Sequence, residues 1–164
     1  MTVTLQFSTP DLAHQNFQDR LVSTGIKKMT RSEISHVDLV MPDGTLLGAH
    51  MTNGIQRRPA DYEKFGLRIR VTVPASDPQQ AAFYGYALSM TGTPYDVETI
   101  VGIATGDARK HTPGKMICSE FAAYAVDDHS GICRVAKDKW QVSPEELRIA
   151  LMALPGAVEE RIIG

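Results

Sequence analysis

The sequence predicts an α+β domain, an antiparallel sheet with helices packed against it, and three observations carry that expectation. Strand-like stretches with one helical interruption come first and helical stretches follow, so no regular strand-helix alternation asks for a parallel sheet. Two capping boxes mark helices after the run of strands. A length of 164 residues, 43% of them hydrophobic and 22% charged, suits one domain over residues 1–164 that buries a core without disulfide staples.

The first element is a strand over 3–9, VTLQFST, rich in β-branched and aromatic residues and stopped at Thr9-Pro10. Residues 10–24 then place Leu12, Phe17 and Leu21 at near-helical spacing, with Ser8 or Thr9 as cap, Pro10 at the first helical position and Gly25 at the end. In SHVDLVMPDGTLLGAH, residues 35–50, the side chains alternate: Val37, Leu39 and Met41 on one side, His36, Asp38 and Val40 on the other. LLGAH returns as the second arm of a hairpin, and GLRIRVTV at 66–73 sets Leu67, Ile69, Val71 and Val73 on one face of a further strand. The helix at 76–92 opens with Asp77 as cap, Pro78 at the first helical position and Gln80 three residues after the cap. The irregular stretch 93–116 holds a short helix around Val97–Ile103, and the Ala-rich CSEFAAYAVDD forms another over 118–128. Ser143 and Glu146 then cap a final helix carrying Leu147, Leu151 and Leu154.

Whether His36 and His50 meet depends on the hairpin loop, because register has parity. A two-residue Asp43-Gly44 loop sets His50 opposite Val37, whereas a three-residue Pro42-Asp43-Gly44 loop sets it opposite His36. Pro-Asp-Gly fits the three-residue loop, with Pro at the first central position of a type I turn and Gly supplying the left-handed residue of the bulge. That register also joins Val37, Leu39 and Met41 to Leu47 and Ala49 on one apolar face. His36 and His50 are therefore expected as cross-strand neighbours, with Asp38 on the same face. Such a face also fits a solvated hairpin surface with no chemistry, and the histidine pair alone leaves both readings open.

The bulk numbers exclude several function classes. A net charge of −2 offers no basic stripe for phosphates, and the pairs Lys27-Lys28 and Arg57-Arg58 are short, so no nucleic-acid partner is expected. Cys118 and Cys133 are too few for a disulfide scaffold and lack zinc-site spacing, which makes them reduced thiols. The N-terminal stretch has no basic region followed by a long apolar run, and no segment reaches the length of a membrane span. No signal peptide and a cytoplasmic place of synthesis are expected. His14, His111 and His129 have no ligand spacing to other metal-binding side chains, so no metal is assigned and no cofactor is needed.

Cys118 changes the weight of the histidine pair. It starts a helix after a short apolar run, in GKMICSEFAAYA, where free backbone N–H groups favour a thiolate and donate to an oxyanion. A nucleophilic thiol also requires an imidazole and a polar group that orients it, and His36 with His50 supplies both. Free cysteines are also common as small buried hydrophobes, and the residues alone leave that alternative open. Cys133, in SGICRVA, has neither a helix start nor polar flanks and reads as structural.

SHVDLVMPDGTLLGA, followed by GTPYD and ICSEF, resembles the circularly permuted branch of the NlpC/P60 (papain-like) superfamily, the YiiX/YebB-like and lecithin:retinol acyltransferase-like proteins. That branch places the catalytic histidine before the cysteine. The segment from LQFST through SHVDLV also resembles proteins of this kind from bacteriophages and prophages. The resemblance implies a papain-like antiparallel sheet, Cys118 as nucleophile, His36 as general base and His50 as orienting residue. Asp38 is the substitute for His50, although it lies about 7 Å along the strand from His36 by strand rise. Tyr95 matches a tyrosine that lines the substrate pocket or oxyanion site in related proteins, and it equally suits a structural turn, with Asp96 capping the segment after it. Ser119 and Glu120 either line the cleft or complement the helix dipole.

The implied activity is cleavage of amide or peptide bonds through a thioester, with peptidoglycan stem peptides first among the substrates, other peptides or isopeptides next, and acyl lipids last. The alternatives are a non-catalytic phage assembly or binding protein on the same fold, and a thiol acyltransferase. A phage-encoded chain would reach the cell wall within a virion or through a holin. The sequence leaves oligomeric state open.

Overall fold

The computed structural model describes residues 1–11, 32–105 and 111–162. Strands β1 (Thr2–Pro10), β2 (His36–Val40), β3 (Leu46–His50), β4 (Gly54–Arg58), β5 (Phe65–Pro74) and β6 (Val158–Arg161) form one antiparallel sheet in the order β4-β3-β2-β1-β5-β6. Helices α1 (Asp77–Ser89), α2 (Val97–Thr105), α3 (Cys118–Tyr124) and α4 (Pro144–Met152) complete an α+β architecture. Among the described residues, no helix is long and apolar enough to cross a membrane.

The alternation in the sequence explains where the core sits. Val3, Leu5 and Phe7 of β1 share a face with Val37, Leu39, Leu47, Ala49, Ile55, Val71 and Val73, and all are buried. They join Phe83 and Ala87 of α1, Phe121 and Ala122 of α3, and Leu147 and Leu151 of α4 in the main apolar core. The opposite face is polar yet also buried over the two middle strands, where Gln6, Ser8 and Asp38 lie. A polar side chain held out of water there needs a partner.

Several element boundaries differ from expectation. Pro10 does not open a helix; it closes β1, opposite Phe65 and after a register shift at Thr9/Pro10, where its missing N–H interrupts no ladder. Residues 12–24 of the expected helix lie outside the described residues. The cap of α1 is Ser76 rather than Asp77: its Oγ accepts from Gln79 N, and Gln79 Oε1 accepts from Ser76 N at 2.9 Å. Serine competes well with aspartate at this position, and Pro78 fits one residue later because that N–H also lacks an intrahelical partner. The helix expected over 118–128 is α-helical only to Tyr124 and continues as a π-turn over Ala125–His129. Buried Ser130 satisfies carbonyls loosened by that turn, donating to Ala125 O at 2.7 Å and Val126 O at 3.1 Å. The caps of α4 are as read, with Glu146 N donating to Ser143 Oγ and Ser143 N to Glu146 Oε2.

Loop contacts bring the N-terminus of α3 toward β2 and β3. Ile55 N donates to Thr93 O at 2.9 Å and Gly92 N to Ile55 O at 2.8 Å, tying the segment after α1 to β4. Tyr95 then forms a parallel bridge with Met116, two residues before Cys118. The result lays α3 close to both hairpin strands.

Candidate functional site

The hairpin has the three-residue loop. Leu39 pairs Leu47 and Val40 pairs Leu46, while Met41 N donates to Thr45 O and Gly44 N to Met41 O, each at 2.8 Å. Gly44 sits at φ +83°, the left-handed position that glycine adopts without a Cβ clash. Asp43 Oδ1 accepts from Thr45 N at 3.1 Å and from Thr45 Oγ1 at 2.7 Å, which rigidifies the turn. The register brings His36 and His50 together, with ring centroids 4.4 Å apart.

Asp38 lies between them. Its Oδ1 is 2.9 Å from His36 Nε2 and 3.3 Å from His50 Nε2, and its Oδ2 accepts from the Tyr62 hydroxyl at 3.3 Å. Strand rise alone separates residues 36 and 38 too far for contact, but side chains lean along a strand and close the gap. Gly48 gives the carboxylate its room: a Cβ there would fall 1.8 Å from Asp38 Oδ1. The Asp38 side chain is fully buried, whereas His36 and His50 retain 13% and 18% exposure, so the cluster opens to solvent on its imidazole side. Tyr62, from the loop between β4 and β5, meets the His50 ring edge-on at 5.1 Å and carries the Arg58 guanidinium 5.3 Å from its own centroid.

The electrostatics assign a charge to each group. Burial disfavours a charged His36, but the Asp38 carboxylate and the Cys118 sulfur outweigh it and hold the imidazole pKa well above its ordinary value. Burial likewise opposes ionisation of Asp38, and the two histidines overcome it, keeping the carboxyl far below the usual range. His50 is pushed down to about 4 by burial and by the neighbouring His36 charge, against the Asp38 hydrogen bond. Near neutrality Asp38 is thus anionic, His36 carries the proton and His50 is a neutral donor.

Cys118 is the first residue of α3 and is buried. Its sulfur lies near enough to His36 to favour the protonated ring. Cys133 is also buried, and desolvation with the nearby Asp127 charge raises its pKa, the setting of an inert thiol.

The structure thus gathers Cys118, His36, His50 and Asp38. Tyr95 packs beside Ile100 and Ile117, next to the start of α3. Asp96 caps α2, accepting from Thr99 N at 3.0 Å and from Thr99 Oγ1 at 2.7 Å. Ser119 and Glu120 are both buried, and burial together with the Asp96 charge raises the Glu120 carboxyl to about 7, despite a hydrogen bond from Ile117 N. Sequence reasoning missed Tyr62 and Gly48. Tyr62 sits in an irregular segment with no local signal, while Gly48, a glycine inside a strand directly opposite an acidic residue, carried a readable one. Among the described residues, the donors grouped closely enough for a metal are His36, Asp38 and His50, whose ligand atoms all lie within 4.8 Å of one another. Among known proteins, no family model matches the chain and no curated protein matches it.

Proposed function

We propose that the protein is a thiol hydrolase of amide bonds, built on a permuted papain-like fold. The observation that carries this reading is the double engagement of His36, held at Nε2 by buried Asp38 while Cys118 acts on the same ring. In this mechanism the shared proton of the Cys118–His36 pair rests on His36, and the Cys118 thiolate attacks the substrate carbonyl. His36 then returns the proton to the leaving amine, and water, deprotonated by His36, hydrolyses the thioester. Asp38 orients His36 and stabilises the imidazolium, and neutral His50 fixes Asp38 from the other side. Peptidoglycan stem peptides are the first substrates to test, ahead of other peptides and isopeptides. Synthesis in the cytoplasm, with virion delivery for a phage-encoded chain, accompanies this reading.

The near-complete burial of Cys118 favours a second reading, an assembly or binding protein that keeps the fold without the chemistry. Iodoacetamide alkylation at neutral pH separates the two, with Cys133 as internal control. The hydrolase reading expects Cys118 to react at least tenfold faster than Cys133, and His36→Ala to erase that difference. Equal, slow alkylation of both thiols supports the binding protein.

A further inference from the structure

The group around Asp38 has the composition of a transition-metal site. Two imidazole nitrogens and one carboxylate oxygen converge from a single hairpin, with Asp38 Oδ1 at 2.9 and 3.3 Å from the two Nε2 atoms. Ligands around a tetrahedral zinc ion, each about 2.0–2.2 Å from the metal, stand about 3.4 Å apart, so the group needs only small side-chain adjustments. Two imidazoles and one carboxylate with an open fourth position suit zinc and its first-row neighbours; magnesium and calcium prefer an all-oxygen set.

The surroundings support such a site. The Tyr62 hydroxyl binds Asp38 Oδ2 and leaves Oδ1 toward the histidines, the kind of outer contact that orients a ligating carboxylate. In the sheet register Ser8 is opposite His36 and Gln6 is opposite Asp38. Ser8 Oγ and Gln6 Nε2 are buried without a hydrogen-bond partner among the described residues, and water carried in by a cation gives such groups a partner. The partial exposure of both histidines provides an entry path.

We propose that His36 Nε2, Asp38 Oδ1 and His50 Nε2 bind one divalent transition cation, zinc foremost. Loading releases the Nε2 hydrogen of His36 to solvent and moves that of His50 to its Nδ1. His36 then keeps its remaining hydrogen on Nδ1. Metal binding stands independently of the hydrolase reading.

The test is a zinc titration of the full chain against a chromophoric competitor chelator, using Cys118→Ala so that the thiol next to His36 contributes nothing. One zinc per chain is expected, weakened at least 100-fold by adding His50→Ala or, as a substitution that keeps the carboxyl's shape, Asp38→Asn. No stoichiometric binding, or binding unchanged by both substitutions, overturns the site. A metal-free Cys118 that never outpaces Cys133 defeats the hydrolase reading instead, while the Cys118→Ala titration still decides the metal site.

Discussion

Among the described residues, two buried aspartates stand beside histidines, and they are used in opposite ways. Asp96 takes Thr99 N on Oδ1, and Thr99 Oγ1 and Thr112 N on Oδ2, with His111 Nδ1 3.5 Å away. Burial opposes its ionisation, and the Thr112 and Thr99 hydrogen bonds overcome that. Asp38 is bonded by side chains instead, two imidazoles and a phenol. A carboxylate filled by backbone N–H groups ties down a helix and a loop, because those donors never change protonation. One facing imidazoles is coupled to groups that do, so its negative charge governs where a proton resides.

The comparison is broken most directly at Gly48. Gly48→Ala drives a methyl into the Asp38 carboxylate and separates a buried charged group from its partners. It is expected to destabilise the fold by about 3 kcal/mol, read as a lowered urea midpoint. Gly85→Ala is the control: Gly85 lies in α1 with open space around it, and the same exchange is expected to stabilise by about 0.5–1 kcal/mol.

Glu120 sharpens the comparison on the second side, since its Oε1 lies 3.7 Å from His111 Nε2, beyond hydrogen-bond reach. Its folded pKa of about 7 exceeds its ordinary value of 4.5, so the folded state binds a proton that the unfolded state releases between those values. Stability therefore falls as pH rises through that window and levels off above it. Glu120→Gln removes the effect, so wild type and variant should have similar stability near pH 4 and differ by about 2–3 kcal/mol at pH 8, the variant being more stable. Denaturant titrations at the two pH values check this, and a pH-independent difference rejects it.

The smallest expected change separates tying from chemistry. Asp96→Ala removes the α2 cap and is expected to cost about 1–2 kcal/mol of stability while leaving the alkylation rate of Cys118 within twofold. A large fall in that rate would erase the distinction between the two aspartates.

The sequence made some of this legible and hid the rest for physical reasons. The pairing of His36 with His50 followed from the loop because parity leaves two registers and Pro42-Asp43-Gly44 selects one. The contact of Asp38 with both rings did not follow, since strand rise measures backbone spacing and ignores how side chains lean. β4 and β6 were not read because GIQRR and VEER are short outer strands whose charges suppress the alternation that marks inner ones. Tyr62 reaches Asp38 from 24 residues away through a turn, a contact without sequence periodicity. The Ser143–Glu146 cap was read correctly because both partners lie within one helical turn.

The hairpin's position in the chain also has a consequence for synthesis. His36, Asp38 and His50 are brought together by a local turn, and all three leave the ribosome well before Cys118 is added. The nascent chain therefore acquires its imidazoles and their carboxylate first and its thiol later, and any chemistry that needs both begins only once the C-terminal portion has emerged. The same division suggests a cut between β5 and α1: a fragment with the histidines and a fragment with the thiol, each inert alone, whose reassociation would restore the site.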